Sequence, residues 1–313
     1  MSRCKLVPPS INEARWTLRP RGSQRRRPAE LRLCRQTVKV AASSIACPQM
    51  PITIQGTPVQ RAQVTVVVPS FNQCRYLEAA LCSIAVQDVA TEVVVMDGGS
   101  TDGSVSVLER WSDRLAFWRS GPDGGQAAAI NEGVRLGSAP YVAWLNSDDM
   151  LEPGGLRLLI DELEANPATP ASYGKVVNLD PDGSRSDVWV QPFSEHELAI
   201  RCIISQPGSL IRRTAWEAVD GVDANLFLAM DYDLWWRLYR RFGPLLHVPQ
   251  VTAVNRRHNQ TKTRNNRVAH YAEAITVVQR HHGRVPMKWW LAQPYSVWWK
   301  ALIARFGGRT AAD

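Results

Sequence analysis

Three short runs of apolar, largely β-branched residues recur in the first half of the chain, and each stops abruptly at a polar or glycine-rich turn. Val64-Thr65-Val66-Val67-Val68 ends at Pro69, and Glu92-Val93-Val94-Val95-Met96 ends at Asp97-Gly98-Gly99. Tyr141-Val142-Ala143-Trp144-Leu145 ends at Asn146-Ser147-Asp148-Asp149. Continuous apolar runs suit strands covered on both faces, the condition of a parallel sheet. The intervals hold stretches of crossover length and helical composition at 75–86, 104–111 and 126–136. Strand alternating with helix predicts a wound, mostly parallel α/β sheet flanked by helices.

In such sheets ligands bind beyond the carboxyl ends of the strands, where all three runs place polar residues. Ser100-Thr101-Asp102 reads as the cap of the following helix. The adjacent Asp148 and Asp149 would repel each other if both were ionised, unless a cation or hydrogen-bond donors compensated. Hard divalent cations take carboxylate oxygens, and Mg²⁺ keeps phosphate ligands beside them. A metal bridged to a diphosphate is one reading of the pair; a surface turn with a helix cap at Glu152-Pro153 is the other. Gly124-Gly125-Gln126, ahead of Ala129-Ile130-Asn131-Glu132-Gly133, also has two readings. Glycines before a helix let phosphate approach its N-terminus, or they form an ordinary loop and cap.

The charge of +8 resembles a nucleic-acid signature until it is divided along the chain. Residues 1–49 hold 11 Lys and Arg against 2 Asp and Glu, so the remaining 264 residues carry a balance of −1. The body has no basic surplus for a polyanion, and no nucleic-acid partner is expected. The basic stretch lacks periodicity and is broken by five prolines, which predicts a disordered extension over 1–61. It could touch anionic lipid, or lie outside the working protein, since Met50 just precedes the first organised segment. Cys74, Cys82 and Cys202 have no metal-ligand spacing and read as free thiols in a reducing cytoplasm. No apolar run is long enough for a spanning helix, and the first residues lack a signal-peptide core, so a cytoplasmic location is expected.

The segments 66–72, 97–103, 125–133 and 146–149 occur in the order and spacing of glycosyltransferase family 2, which the chain resembles over about 62–265. The resemblance implies a GT-A fold and an inverting enzyme that uses a nucleotide-diphosphate sugar. The donor is expected to be UDP- or dTDP-linked, and the acceptor a glycan or lipid-linked hydroxyl in cell-envelope polysaccharide synthesis. It divides the chain into a nucleotide-binding half (62–150), an acceptor half (151–265) and a C-terminal helical appendage (266–313). Asp97 matches the aspartate that bonds the nucleotide base, and Pro69, Phe71 and Asn72 match the loop lining that pocket. Gln126 and Asn131 are expected to contact the donor. Asp148 is expected on the ribose or sugar, and Asp149 on Mg²⁺ or Mn²⁺. Asn146 stands where the family's motif usually begins with an aspartate, and Gly98 where many members carry a second one.

Further along, Met230-Asp231-Tyr232-Asp233-Leu234-Trp235 and Arg256-Arg257-His258-Asn259 resemble the family's acceptor-side motifs. Asp231 aligns with the catalytic base, although Met230 replaces the usual acid before it, and Asp233 takes a supporting role. Both acids would also simply favour the helix dipole. His258 matches a late histidine on the metal or diphosphate, with Arg256 or Arg257 as phosphate partners; the other reading is a structural histidine. Trp235-Trp236 reads either as a sugar-stacking pair or as packing. His281-His282 reads as surface. Trp289-Trp290 and Trp298-Trp299, with Lys288, Lys300 and Arg305, suggest an interfacial membrane helix or one docked on the catalytic domain. A sugar-nucleotide pyrophosphorylase would need Arg and Lys in a glycine-rich loop after the first strand, and a dehydrogenase would need Gly-x-Gly-x-x-Gly. Pro69-Ser70-Phe71-Asn72 is neither. A catalytically silent relative that binds a nucleotide or a partner glycosyltransferase is the alternative, against which stand Asp97, Asp148, Asp149 and Asp231.

Overall fold

A computed structural model describes residues 61–259 and 261–293. The basic extension and the Trp298-Trp299 segment lie outside these described residues. The chain opens with β1 (Val64–Ser70), α1 (Cys74–Ala85), β2 (Thr91–Asp97), α2 (Ser104–Trp111), β3 (Phe117–Ser120), α3 (Gln126–Leu136) and β4 (Tyr141–Trp144). It continues through β5 (Met150–Leu151), α4 (Gly155–Ala165), β6 (Ala171–Leu179), β7 (Arg185–Asp187), α5 (Glu195–Ile200), β8 (Ser209–Arg212) and α6 (Arg213–Ala218). It ends with α7 (Met230–Phe242), β9 (Leu246–Arg256), α8 (Lys262–Asn265), α9 (Arg267–His282) and α10 (Met287–Gln293).

The sheet runs β3-β2-β1-β4-β8-β6-β9-β5, with β7 paired to β6. The first four strands are parallel, as expected from their apolar runs. β8 then runs antiparallel to both β4 and β6, while β6 and β9 are parallel, so the far half is mixed. Side-chain alternation divides the core between the two faces. Val66, Val68, Val93 and Val95 pack under α1, α2 and α4. Val67, Val94, Met96, Val142 and Trp144 meet α3, α7 and α9 on the other face.

Strand order reverses at β1, which sends the chain first toward β2 and β3 and later back to β4 on its other side. Carboxyl-end loops diverge at such a switch point and leave a crevice. Register sets the floor level, because Ser70 pairs with Asp97 and Asp97 with Ser120. Asp102 fixes the neighbouring loops from below. Its carboxylate accepts from the Cys74 N–H at 2.8 Å and from the Ser104 N–H at 3.1 Å, and so serves the first turns of both α1 and α2.

The core settles two of the open readings. Trp235 and Trp236 are fully buried, and Trp235 stacks on Trp144 with ring centroids 6.1 Å apart, so the pair is packing. His281 is not a surface residue. Its Nε2 lies 2.8 Å from Asp233 Oδ1, and its ring stacks on Trp236. Periodicity alone did not reveal this contact, because it joins α9 to α7 across 48 positions.

Candidate active site

The crevice at the switch point is a cavity of about 1,040 Å³. Pro69 and Phe71 line it from the end of β1, Gln126 from the start of α3, and Asp148 and Asp149 from the turn after β4. Asp231, from the first turn of α7, lines the same space. Gly125 has φ +93, a conformation open to glycine, and this lets the chain turn into α3 beside the cavity.

Asp149 is buried. One oxygen accepts from the Arg256 N–H at 3.0 Å and the other from the Asn146 side-chain amide at 3.2 Å. Burial, and then the charge of Asp148, push its carboxyl well above the ordinary range despite these donors. Asp148 meets buried His258, whose Nε2 lies 2.8 Å from Oδ2. Arg256 donates from Nε to the Asp148 carbonyl at 3.1 Å and lies over the Tyr76 ring. Arg257 pairs with Asp180 at 3.2 Å. Both arginines therefore serve the scaffold as they stand.

Two carboxylates and an imidazole are the hard-oxygen and nitrogen donors that suit Mg²⁺ or Mn²⁺. The elevated carboxyl of Asp149 is a further sign of fit, since a cation would offset the repulsion within the pair. Among the described residues, no three such side chains already stand in a coordinating cluster, because His258 faces Asp148 instead. The residues fit a divalent cation in chemistry, and rotation of these side chains would be needed to surround one.

Four of the expected donor and metal residues, Asp97, Asn72, Asn131 and His258, are not among those that line the cavity; His258 stands behind Asp148. Asp97 is fully buried and accepts from the N–H groups of Gly99 and Ser100 and from the hydroxyls of Ser100 and Ser120, at 2.6–3.2 Å. Asn72, at φ 53, accepts from the Thr101 N–H at 2.9 Å, while its own N–H donates to Ser100 Oγ at 2.7 Å. Asn131 clamps Val222, donating to its carbonyl at 2.8 Å and accepting from its N–H at 3.0 Å. Asp233 faces away from the cavity and holds Arg237 at 2.6 Å and Arg280 at 3.1 Å besides His281.

Asp231 has a different environment. Burial raises its carboxyl, offset in part by the Tyr232 N–H at 2.8 Å and by the charges of His270 and Lys262. It makes no ion pair among the described residues. The helix that carries it has no side-chain cap of its own. Glu273 of α9 holds the segment that leads into it, accepting from the N–H groups of Phe227, Leu228 and Ala229 at 3.3, 2.7 and 3.0 Å.

Sequence reasoning missed Lys262, Gln206 and Trp189. Lys262 Nζ donates to Gln126 Oε1 at 2.9 Å and lies 3.5 Å from the centroid of Phe227. Gln206 donates to the Trp144 carbonyl at 2.6 Å and accepts from Asn146 at 3.4 Å. None belongs to a recognisable motif: Lys262 stands in a polar run, Gln206 just after Ile203-Ile204, and Trp189 between Val188 and Val190.

Residues 65–219 match the model for glycosyl transferase family 2. The hyaluronan synthase of Pasteurella multocida is 28% identical over 205 residues, 64% of this chain and 21% of that protein. The chondroitin synthase of Escherichia coli is 28% identical over 193 residues, 60% of this chain and 28% of that one. The chain thus spans less than a third of either synthase's length. Two solved structures share the fold. Residues 1–349 of S. aureus TarS, in complex with UDP-GlcNAc, align at TM-score 0.58 and 15% identity over 75% of this chain and 73% of theirs. The mannosyltransferase PcManGT from Pyrobaculum calidifontis, in complex with GDP-Man and Mn²⁺, aligns at 0.56 and 22% over 85% of this chain and 80% of its own.

Proposed function

The chain belongs to glycosyl transferase family 2, and we propose that it moves a sugar, with inversion, from a nucleotide-diphosphate sugar to a hydroxyl of a glycan or lipid-linked acceptor. The observation that carries this reading is a single cavity lined both by Asp148-Asp149 at the sheet's switch point and by Asp231, a half-buried carboxylate with no ion pair among the described residues. A UDP- or dTDP-linked donor would occupy the side of Pro69, Phe71 and Gln126. Asp97 would act through shape, since it folds the turn that sets Gly98 on the cavity wall.

Asp231 then takes the proton of the acceptor hydroxyl as its oxygen bonds to the anomeric carbon, and the bond to the diphosphate oxygen breaks. A raised carboxyl is a better proton acceptor than an ordinary one at the same degree of ionisation. Asp149, with Asp148 and His258, would hold Mg²⁺ or Mn²⁺, which supplies charge for the departing diphosphate. The acceptor would belong to cell-envelope polysaccharide. No helix among the described residues is long and apolar enough to cross a membrane. Work in the cytoplasm, with peripheral contact at a membrane, is the setting we propose.

The test is a thermal-shift panel of the full chain with UDP, GDP, dTDP and CMP, each with and without Mn²⁺. Stabilisation by one nucleoside diphosphate that grows with Mn²⁺ is expected and would name the donor class. No shift with any nucleotide would favour a silent relative that binds a partner protein instead.

A further inference from the structure

Trp189 stands two residues beyond β7 and lines the cavity, yet its side chain is 39% exposed. It is not loose. The Val188 N–H donates to the Val176 carbonyl at 2.9 Å, and the Gln191 N–H donates to the Ile203 carbonyl at 3.3 Å. The Tyr173 hydroxyl donates to the Gln191 carbonyl at 2.8 Å, so the segment is held on three sides. The guanidinium carbon of Arg201 lies 4.2 Å from the indole centroid, and Arg201 makes no ion pair among the described residues. Arg201 covers one ring face, and Trp189 also forms part of the cavity wall.

A large aromatic ring fixed at a cavity wall and left wet is stabilised only when something covers it. The rest of this wall indicates what would. Ser205 lines the cavity, and its hydroxyl has no hydrogen-bond partner among the described residues. Gln206 adds a neutral amide. Cys202, beside Arg201, lines the cavity too; burial and then the Asp231 charge push its thiol up, which puts this wall within electrostatic reach of Asp231. The wall offers an aromatic face and neutral polar groups beside the apolar side chains of Val188, Ile204 and Pro207. A pyranose ring has the matching surface, with C–H groups on one face and hydroxyls at its rim.

We propose that Trp189, backed by Arg201, is the platform for the acceptor sugar: a neutral pyranose ring lies on the indole and its rim hydroxyls meet Ser205. The acceptor is then a saccharide, free or lipid-linked, rather than a bare lipid or a protein hydroxyl. This rests on the reading of the cavity as a sugar-transfer site.

The experiment uses the full chain with UDP and Mn²⁺. Methyl β-glycosides of glucose, galactose and N-acetylglucosamine, with methyl cellobioside and methyl lactoside, are the probes, observed by saturation-transfer NMR. At least one glycoside is expected to bind the wild type, with transfer concentrated on the C–H groups of one ring face. Trp189→Ala should weaken that binding by about tenfold, the size expected when a ring contact and its buried area are lost, and Trp189→Phe should recover part of it. The UDP-induced thermal shift should stay unchanged in both variants, which reports that they fold. Undiminished glycoside binding in Trp189→Ala overturns the platform, and so does UDP binding with no glycoside bound. Glycoside binding that depends on Trp189 without any UDP binding would keep the platform and overturn the transfer reading instead.

Discussion

Lys262 Nζ donates to Gln126 Oε1 at 2.9 Å and so ties α8 to the first turn of α3 across the cavity. The bonds continue, since the Gln126 amide donates to Asn146 at 2.8 Å and the Asn146 amide donates to Asp149 at 3.2 Å. The lysine is a cation without an ion pair among the described residues, and burial holds its ammonium below the usual lysine range. A partly desolvated cation whose counter-charges, Glu273 and Asp231, stand beyond ion-pair distance lowers its free energy when an anion arrives in contact. Lys262→Ala should therefore weaken UDP binding in the presence of Mn²⁺ by about tenfold, the worth of one charge-assisted hydrogen bond. Calorimetric titration of UDP reads this directly. Equal affinity in the variant would remove Lys262 from the donor site.

Asp231 gives opposite signs for stability and activity. Its folded-state carboxyl titrates above the unfolded value, so between the two values the native state holds the extra proton. Stability therefore falls as pH rises through that window, and the full penalty is present above the folded-state value. Asp231→Asn removes the penalty with little change of shape, so the variant should melt higher than wild type at pH 7, and the difference should fade toward pH 4. Transfer should fall by at least about a hundredfold, the lower end for losing a general base. The acid limb of the wild-type rate profile should lie above the ordinary carboxylate value of about 3.9. A variant that melts at the wild-type temperature at every pH would refute the burial argument.

Asp233, two positions on, has the reverse sign. It is fully buried, and although burial raises its carboxyl, the bonds from His281 and Arg237 prevail and hold it below the ordinary value. Its contribution is complete above the unfolded value and is lost as pH falls through the lower folded one. Asp233→Asn leaves the part-exposed Arg237 and Arg280 short of a charged partner and should cost about 2 kcal/mol at pH 7. Urea unfolding from pH 7 down to pH 3 should show that gap closing. A constant gap would mean that shape, not charge, is what Asn fails to replace.

These two acids show how far the sequence was legible. Both sit at the start of one helix, and the pattern of acids before Leu234-Trp235 marked that helix correctly. Which acid faced the cavity depended on Arg280 and His281, supplied from 47 and 48 positions away. The same limit applied to Asp97 and Asn131, whose positions at a strand end and on a helix were readable. Their partners, Ser120 and Val222, lie 23 and 91 positions off. The strands β1, β2 and β4 were legible because burial on both faces leaves a continuous apolar run. β7 was not, because Arg185-Ser186-Asp187 is exposed and polar throughout. Trp189 was hidden for a related reason, since one exposed aromatic after a polar strand has no period.

The packing of α3 on the sheet gives a last prediction in which two effects compete. Gly133 lies inside α3, where replacing glycine with alanine gains about 1 kcal/mol of helix propensity. A Cβ at this position would stand 2.5 Å from Val67 Cγ1 and 3.2 Å from Met96 Cγ, both in the buried strands beneath. Overpacking of this kind costs about 1–3 kcal/mol, so the clash should prevail and Gly133→Ala should lower the melting temperature. Val67→Ala alone should also destabilise, by opening a cavity. Together the two should cost less than the sum of their separate effects, because the methyl group added by one fills space vacated by the other. Strict additivity in urea unfolding would place the cost of Gly133→Ala on Met96 or on the helix backbone instead of Val67.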